Sequence, residues 1–365
     1  MPRPDVESPT RLRALSGGDG EGEGRMTEPV QLRVRDLLEM RPGPWAHRVA
    51  LRAGISVLVP LLAVLALGHP EWSAYAAFGA FTSLYGRNHV HLSRATMQLS
   101  AGTLLVAAVA AGVLVGSLES RAWVAVGVAT VLAVLGSLVS AAQDWHPPGP
   151  IFLVFGFGAV ASAPHTLADV PVAVAVATAS AVFALLVGNA GAVLRRQHSR
   201  PGPLAPLRPA DALRCGLAVL LAGATATAIG IGHPYWAMVA AVVPLAAPAL
   251  RSQLVRAGHR VFGTLLGLVT SAALLAPGFG PLTTVLVVAV LQIVTELIVG
   301  RHYGVALLFI TPMAMLMGQL AAPLPVGSLL FDRGVQTVIG SAIGILVIVV
   351  TELVRRRRVT VARSR

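Results

Sequence analysis

Twelve apolar stretches, each closed by a proline, glycine or charged break, restrict this chain to one broad architecture. They run 48–67, 71–85, 94–116, 121–142, 147–163 and 171–194, then 210–231, 234–249, 253–276, 281–299, 303–321 and 332–354. Most approach the roughly 18–20 residues a helix needs to cross a ~30 Å hydrocarbon core. The breaks carry turn-forming sequences: HP at 69–70, HPPGP at 146–150, APGFGP at 276–281 and APLP at 322–325. Inside lipid a single segment can satisfy its own backbone groups only as a helix. The pattern therefore predicts an all-α integral membrane protein with about twelve transmembrane helices. Composition agrees: 12% of residues are charged, against about a quarter in soluble domains.

The chain has no lysine, and its arginines divide unevenly between the breaks. With a cytoplasmic N-terminus, the inner loops hold RNHVHLSR (87–94), RRQHSRPGPLAPLR (195–208), RSQLVRAGHR (251–260) and RRRR (355–358). The outer loops hold only Arg121 and Arg333, beside Glu71, Glu119, Asp169 and Asp332. The positive-inside rule then predicts both termini on the cytoplasmic side of the plasma membrane. Residues 1–45, rich in Gly, Glu, Ser and Pro at their start, read as a disordered cytoplasmic arm. That arm has no apolar core of the signal-peptide kind, and Met26 is an alternative start. The tail 355–365 reads as a basic cytoplasmic anchor rather than a nucleic-acid arm.

The apolar region is written twice. ALRAG (50–54) returns as ALRCG (212–216), GHPEW (68–72) as GHPYW (232–236), AGTLL (101–105) as FGTLL (262–266), and LADVPV (167–172) as LFDRGV (330–335). Four matches in the same order predict a duplicated six-helix unit: 46–196 and 210–354, joined by a cytoplasmic linker at 197–209. Six is even, so both copies enter the membrane in the same sense. The expected relation is a pseudo-twofold axis along the membrane normal.

HPYWA at 233–237, the arginine-rich approach to RVFGTLLG at 260–267 and DRGVQTVIGSAIG at 332–344 resemble the fusaric acid resistance-like family, also called the aromatic acid exporter family. The match is fuller in the second half: Val170 stands opposite Arg333, and LSAGTLLV replaces RVFGTLLG. Many members carry large cytoplasmic domains, for which the linker and tail are too short. The family is more distantly similar to the aluminium-activated malate transporters, where two six-helix units form an anion pathway lined by basic residues. The resemblance implies export of organic anions, most plausibly aromatic carboxylates, driven by the proton motive force or the membrane potential. The alternatives are a passive anion channel and a non-transporting membrane scaffold.

Arginine within a bilayer costs at least ~2.5 kcal/mol and needs a partner or a water-filled cavity. Arg256 and Arg260 are four apart and share one helical face, with Arg94 in the matching stretch of the first half. Arg52 and Arg214 stand at equivalent places one turn into the first helix of each half. These five are the substrate-binding candidates. The plain alternative is a solvated, positive-inside face with snorkelling side chains.

Asp169 and Asp332 fall at the outer ends of the sixth and twelfth segments, where a carboxylate suits the helix dipole. Arg333 beside Asp332 favours its charged form. His69 and His233 precede a proline at the outer starts of the second and eighth segments. These four are the proton-coupling candidates, because a carboxylate or imidazole can carry the proton of a coupled exporter. The short second and eighth segments, Pro244 and Pro248, and the PPGP of 147–150 place the substrate path nearby. GTLLG (263–267) and GSAIG (340–344) are helix-packing patterns, and Glu296 near Arg301 reads as an ion pair.

No P-loop, HExxH, GxSxG or paired-cysteine spacing is present, and the one cysteine is Cys215. The sequence therefore predicts no enzyme activity, cofactor, metal or nucleic-acid partner. The expected partners are a small organic anion and the bilayer, with homo-oligomerisation left open.

Overall fold

The computed structural model describes residues 34–40, 47–86, 91–195 and 207–363. All regular structure among them is helical. After the short α1 (Val34–Leu38) come α2 (His47–Ala66), α3 (Ser73–Ala80), α4 (His91–Gly116), α5 (Arg121–Ala142), α6 (Ile151–Ala161) and α7 (Asp169–Arg195). The second half holds α8 (Pro209–Ile229), α9 (Tyr235–Leu245), α10 (Leu250–Leu275), α11 (Pro281–Ile298), α12 (Tyr303–Ala321) and α13 (Val326–Arg363).

Each of the twelve apolar stretches contains a helix, and nine of these helices are long and apolar enough to cross a membrane: α2, α4, α5, α7, α8, α10, α11, α12 and α13. The stretches 71–85, 147–163 and 234–249 yield shorter helices, so the sequence count of twelve spans exceeds what length alone supports. The cause is local. Pro70–Trp72 and Phe81–Leu84 are 3-10 turns that trim α3 from both sides. The PPGP run keeps α6 from starting before Ile151, and Pro244 stands at the end of α9. At 1.5 Å per residue, the 11 residues of α9 are about 16 Å long. Elsewhere the punctuation acts as expected: proline takes the first position of α8 and α11, and Gly230 ends α8 in the left-handed region at φ 77°.

The helices pack in a recurring pattern. In the first half α2 lies on α3 and α7, α3 on α7, α4 on α6 and α7, and α5 on α6. In the second half α8 lies on α9 and α13, α9 on α13, α10 on α12 and α13, and α11 on α12. Contacts between the halves pair α5 with α8, α2 with α11, α6 with α9, and α3 with α12. Glycines bring these helices close. A methyl group on Gly263 would sit 2.5 Å from the Gly304 carbonyl oxygen, and one on Gly340 would run into the Ala237 carbonyl. The two GxxxG patterns thus serve α10–α12 and α9–α13 contact.

The N-terminal arm differs in part from its sequence reading, and the basic tail is built as helix. Residues 34–38, within the arm read as disordered, form α1; residues 1–33 lie outside the described residues. Residues 355–363 continue α13, where Glu352 accepts hydrogen bonds from Arg355 at 2.8 and 2.9 Å and from Arg356 at 2.8 Å. Charge pairing across one turn lets the helix run on past its apolar part. Residues 197–206 of the expected linker also lie outside the described residues.

Candidate functional site

The two copies of the GHP motif, alike in sequence, are built differently. In the first, His69 Nδ1 pairs with Glu71 two residues on, at 2.7 Å, and the imidazole stacks on Trp72 at 3.8 Å. Both members of this pair are about half exposed. The His69 hydrogen bond holds the Glu71 carboxylate, in a turn outside the nine long helices, below its usual range. In the second copy Tyr235 replaces Glu71, so His233 has no local acid. Its Nδ1 instead donates to Asp332 Oδ2 of α13 at 3.1 Å, both side chains being mostly buried.

The position of Asp332 explains why. α7 begins at Asp169, which accepts from the Thr166 amide at 2.8 Å and hydroxyl at 3.0 Å, a capping arrangement at the surface. α13 begins earlier, at Val326, so the equivalent aspartate lies six residues inside the helix. The sequence reading placed both aspartates at helix ends; only Asp169 is there. Two more features hold the second motif. Gln336 Nε2, fully buried one turn on from Asp332, donates to the Ile231 and Gly232 carbonyls at 3.1 Å each. His233 itself takes φ 59°, a left-handed conformation in which histidine is enriched among non-glycine residues.

The same early start of α13 buries Arg333, which is 2% exposed. Its guanidinium lies over the Trp236 indole, 5.0 Å from the ring centroid, while His233 stacks on the same indole at 4.6 Å. Arg260 and the phenols of Tyr235 and Tyr303 lie within electrostatic reach of Arg333. Arg260, on α10, is 3% exposed and donates through Nη1 to the Tyr303 hydroxyl at 3.2 Å. Arg256, one turn earlier, lies over the Tyr303 ring at 5.2 Å. Tyr235 stacks on Phe155 of α6 at 6.0 Å and so reaches the other half.

Two buried cations therefore converge from α10 and α13 with incomplete partners. Arg260 Nε and Nη2 and Arg333 Nε are buried without a hydrogen bond, and neither guanidinium is in an ion pair among the described residues. The nearest acid in sequence, Asp332, is engaged by His233. Unpaired guanidinium groups in a protein interior are costly, and an anion accepting from them would relieve that cost. This cluster has the charge, the donors and the aromatic walls of an anion site.

The other candidates lie elsewhere. Arg94, half-buried on α4, donates through Nε to the Gly86 carbonyl at 3.1 Å and through Nη1 to the Gly188 carbonyl at 3.3 Å. Arg214 pairs with Asp211 at 3.4 Å near the start of α8. Arg52 is half-buried on α2, the helix that packs on α11. Sequence reasoning passed over Arg333, Tyr303, Trp236 and Gln336 as site residues. The readable signal was the spacing of Arg333, Gln336 and Thr337, which puts polar groups on one stripe of an apolar helix.

Residues 217–347 match the family described as fusaric acid resistance protein-like. That range contains every member of the cluster, from His233 to Gln336. Among curated proteins, the chain is 27% identical over 136 residues to the uncharacterized membrane protein YvaC of Bacillus subtilis (strain 168). The match covers 37% of this chain and 22% of that protein, so the chain spans about a fifth of its relative. No solved structure matches. Nine helices long and apolar enough to cross a membrane, and a site lying wholly inside the matched range, support one reading: a multi-pass membrane protein whose residues 217–347 are similar to the fusaric acid resistance protein-like family.

Proposed function

We propose that the protein is a plasma-membrane permease that exports organic anions, aromatic carboxylates among them, under the proton motive force or the membrane potential. The observation that carries this reading is the pair Arg260 and Arg333, buried on two different helices with guanidinium N–H groups left free. A carboxylate fits the donors, and the Trp236, Tyr235 and Tyr303 rings offer an apolar flank for the rest of the molecule.

The recurring helix contacts support a chain of two six-helix units related by a pseudo-twofold axis, and the arginine distribution supports twelve crossings with both termini cytoplasmic. In that topology α10 enters from the inside and α13 from the outside. Arg260, ten residues after Leu250, then lies about 15 Å along its helix, and Arg333, seven after Val326, about 10 Å along its own. The two cations approach the middle of the bilayer from opposite faces. An interior voltage negative by 100 mV favours anion export by about 2.3 kcal/mol per charge. The His233–Asp332 pair, beside Arg333, is the place for a coupled proton.

The test is uptake of labelled benzoate by proteoliposomes under pH and voltage gradients imposed separately. Flux in the intact protein that Arg260→Gln and Arg333→Gln each abolish supports the reading. Flux insensitive to both substitutions removes the cluster from the path. Flux that follows voltage and ignores the pH gradient makes the protein a passive anion pathway.

A further inference from the structure

The inner end of this site carries a contact from the opposite end of the sequence. Asp36 of α1 meets Arg251 of α10 in a two-pronged ion pair, Oδ1 to Nη2 at 2.6 Å and Oδ2 to Nε at 3.3 Å, with the carboxylate only 11% exposed. The next residue, Leu37, packs its side chain over Gly258, where a side chain would displace it. Its carbonyl oxygen accepts two hydrogen bonds at 3.0 Å, from His259 Nε2 of α10 and from His302 Nε2.

His302 is the N-cap of α12: its Nδ1 accepts from the Val305 amide at 3.1 Å. A carbonyl only accepts and an amide N–H only donates, so His302 carries its proton on Nε2 and its lone pair on Nδ1. That tautomer serves the helix cap and the α1 contact together. The two imidazoles lie 4.6 Å apart around one carbonyl. Beside them are Tyr303, the first residue of α12, and Arg256 and Arg260, both in contact with Tyr303.

The geometry points to an inner clasp: residues Val34–Leu38 fasten onto the ends of α10 and α12 and hold the arginine site shut from that side until the clasp releases. The clasp also ties the halves together. Only eight residues, 39–46, separate Leu38 from α2, which belongs to the first half. Extended, they reach at most about 28 Å, a short tether from α1 to the first half. This inference deepens the permease reading and rests on it for what the clasp shuts.

The experiment separates the two. With Cys215→Ala as background and Arg256→Cys as reporter, labelling by a membrane-impermeant methanethiosulfonate is timed in inside-out vesicles. The four versions are the otherwise unchanged chain, Asp36→Arg, Arg251→Asp, and the charge-swapped double. Either single substitution is expected to speed labelling roughly three- to tenfold, the shift from losing a charge-assisted, two-pronged pair. The double should return to the slow rate, and a single-variant size-exclusion peak at the volume of the unchanged chain shows that each single folds. Equal rates in all four versions overturn the clasp. Benzoate uptake is measured in the same four versions with Arg256 intact, and should rise and fall with labelling. Faster labelling of the singles with no benzoate flux in any version supports the clasp and overturns the permease reading. Equal labelling with normal flux does the reverse.

Discussion

His233 and Asp332, ninety-nine residues apart, form a mostly buried hydrogen bond at 3.1 Å, and the Arg333 next in sequence shares the Trp236 indole with that same histidine. The Trp236 ring of α9 is thus flanked by an imidazole on one contact and a guanidinium on another. The first-half copy has the same histidine and tryptophan, but its acid is the exposed neighbour Glu71. Function is expected to follow the second copy.

Asp332→Asn should therefore weaken benzoate flux driven by a pH gradient by at least about tenfold and lower stability by about 1–2 kcal/mol, the cost of replacing a charge-assisted hydrogen bond with a neutral one. Asp169→Asn keeps a capping oxygen at the surface and loses only its charge, so it should cost well under about 1 kcal/mol and leave flux unchanged. Thermal unfolding in detergent beside liposome flux checks both. Equal effects of the two substitutions would show that the copies are equivalent in function.

Removing a buried, incompletely paired cation can stabilise a fold. Arg333→Leu is expected to leave the melting temperature unchanged or raise it, by up to a few kcal/mol of stability, while abolishing transport. The intact protein should gain thermal stability in millimolar benzoate, and the variant should not. A variant that both melts early and loses flux would mean that Arg333 serves the structure.

Helix contact through glycine makes a sharper structural prediction. Gly340→Ala drives a methyl group into the Ala237 carbonyl and should cost about 1–3 kcal/mol. Gly318→Ala, on α12 with nothing within 4 Å of the new methyl, should be neutral or stabilising by about 0.5–1 kcal/mol. Fluorescence-detected size exclusion after a heating series reads both.

Topology is tested by single cysteines in a Cys215→Ala chain. Glu119→Cys should react with an impermeant thiol reagent from outside intact cells. Glu39→Cys and Arg355→Cys should react only after the membrane is opened. Any other pattern changes the number of crossings and the side on which the clasp lies.

Much of this was legible in the sequence, for a physical reason. Where a helix starts and stops depends on local chemistry: apolar run length, a proline at a first turn, a glycine able to turn left-handed. The apolar stretches, the breaks between them and the shortness of the second and eighth segments are all of that kind. So are the flags on His233, Asp332 and Arg260, charged or titratable residues in an apolar setting. The site itself is not local. Whether Asp332 caps a helix or meets His233 depends on α13 starting at Val326, a boundary the apolar pattern placed near 332. Whether Arg260 faces lipid, water or Arg333 depends on how α10 packs on α12 and α13, which close glycine contacts set across sequence gaps of about 40 and more residues. The contact of Asp36 with Arg251 spans 215 residues. Sequence alone determined that this chain is a membrane-embedded helical protein and which residues are out of place in an apolar interior. Tertiary packing decided which of them meet, because buried charges are placed by what surrounds them and not by their neighbours along the chain.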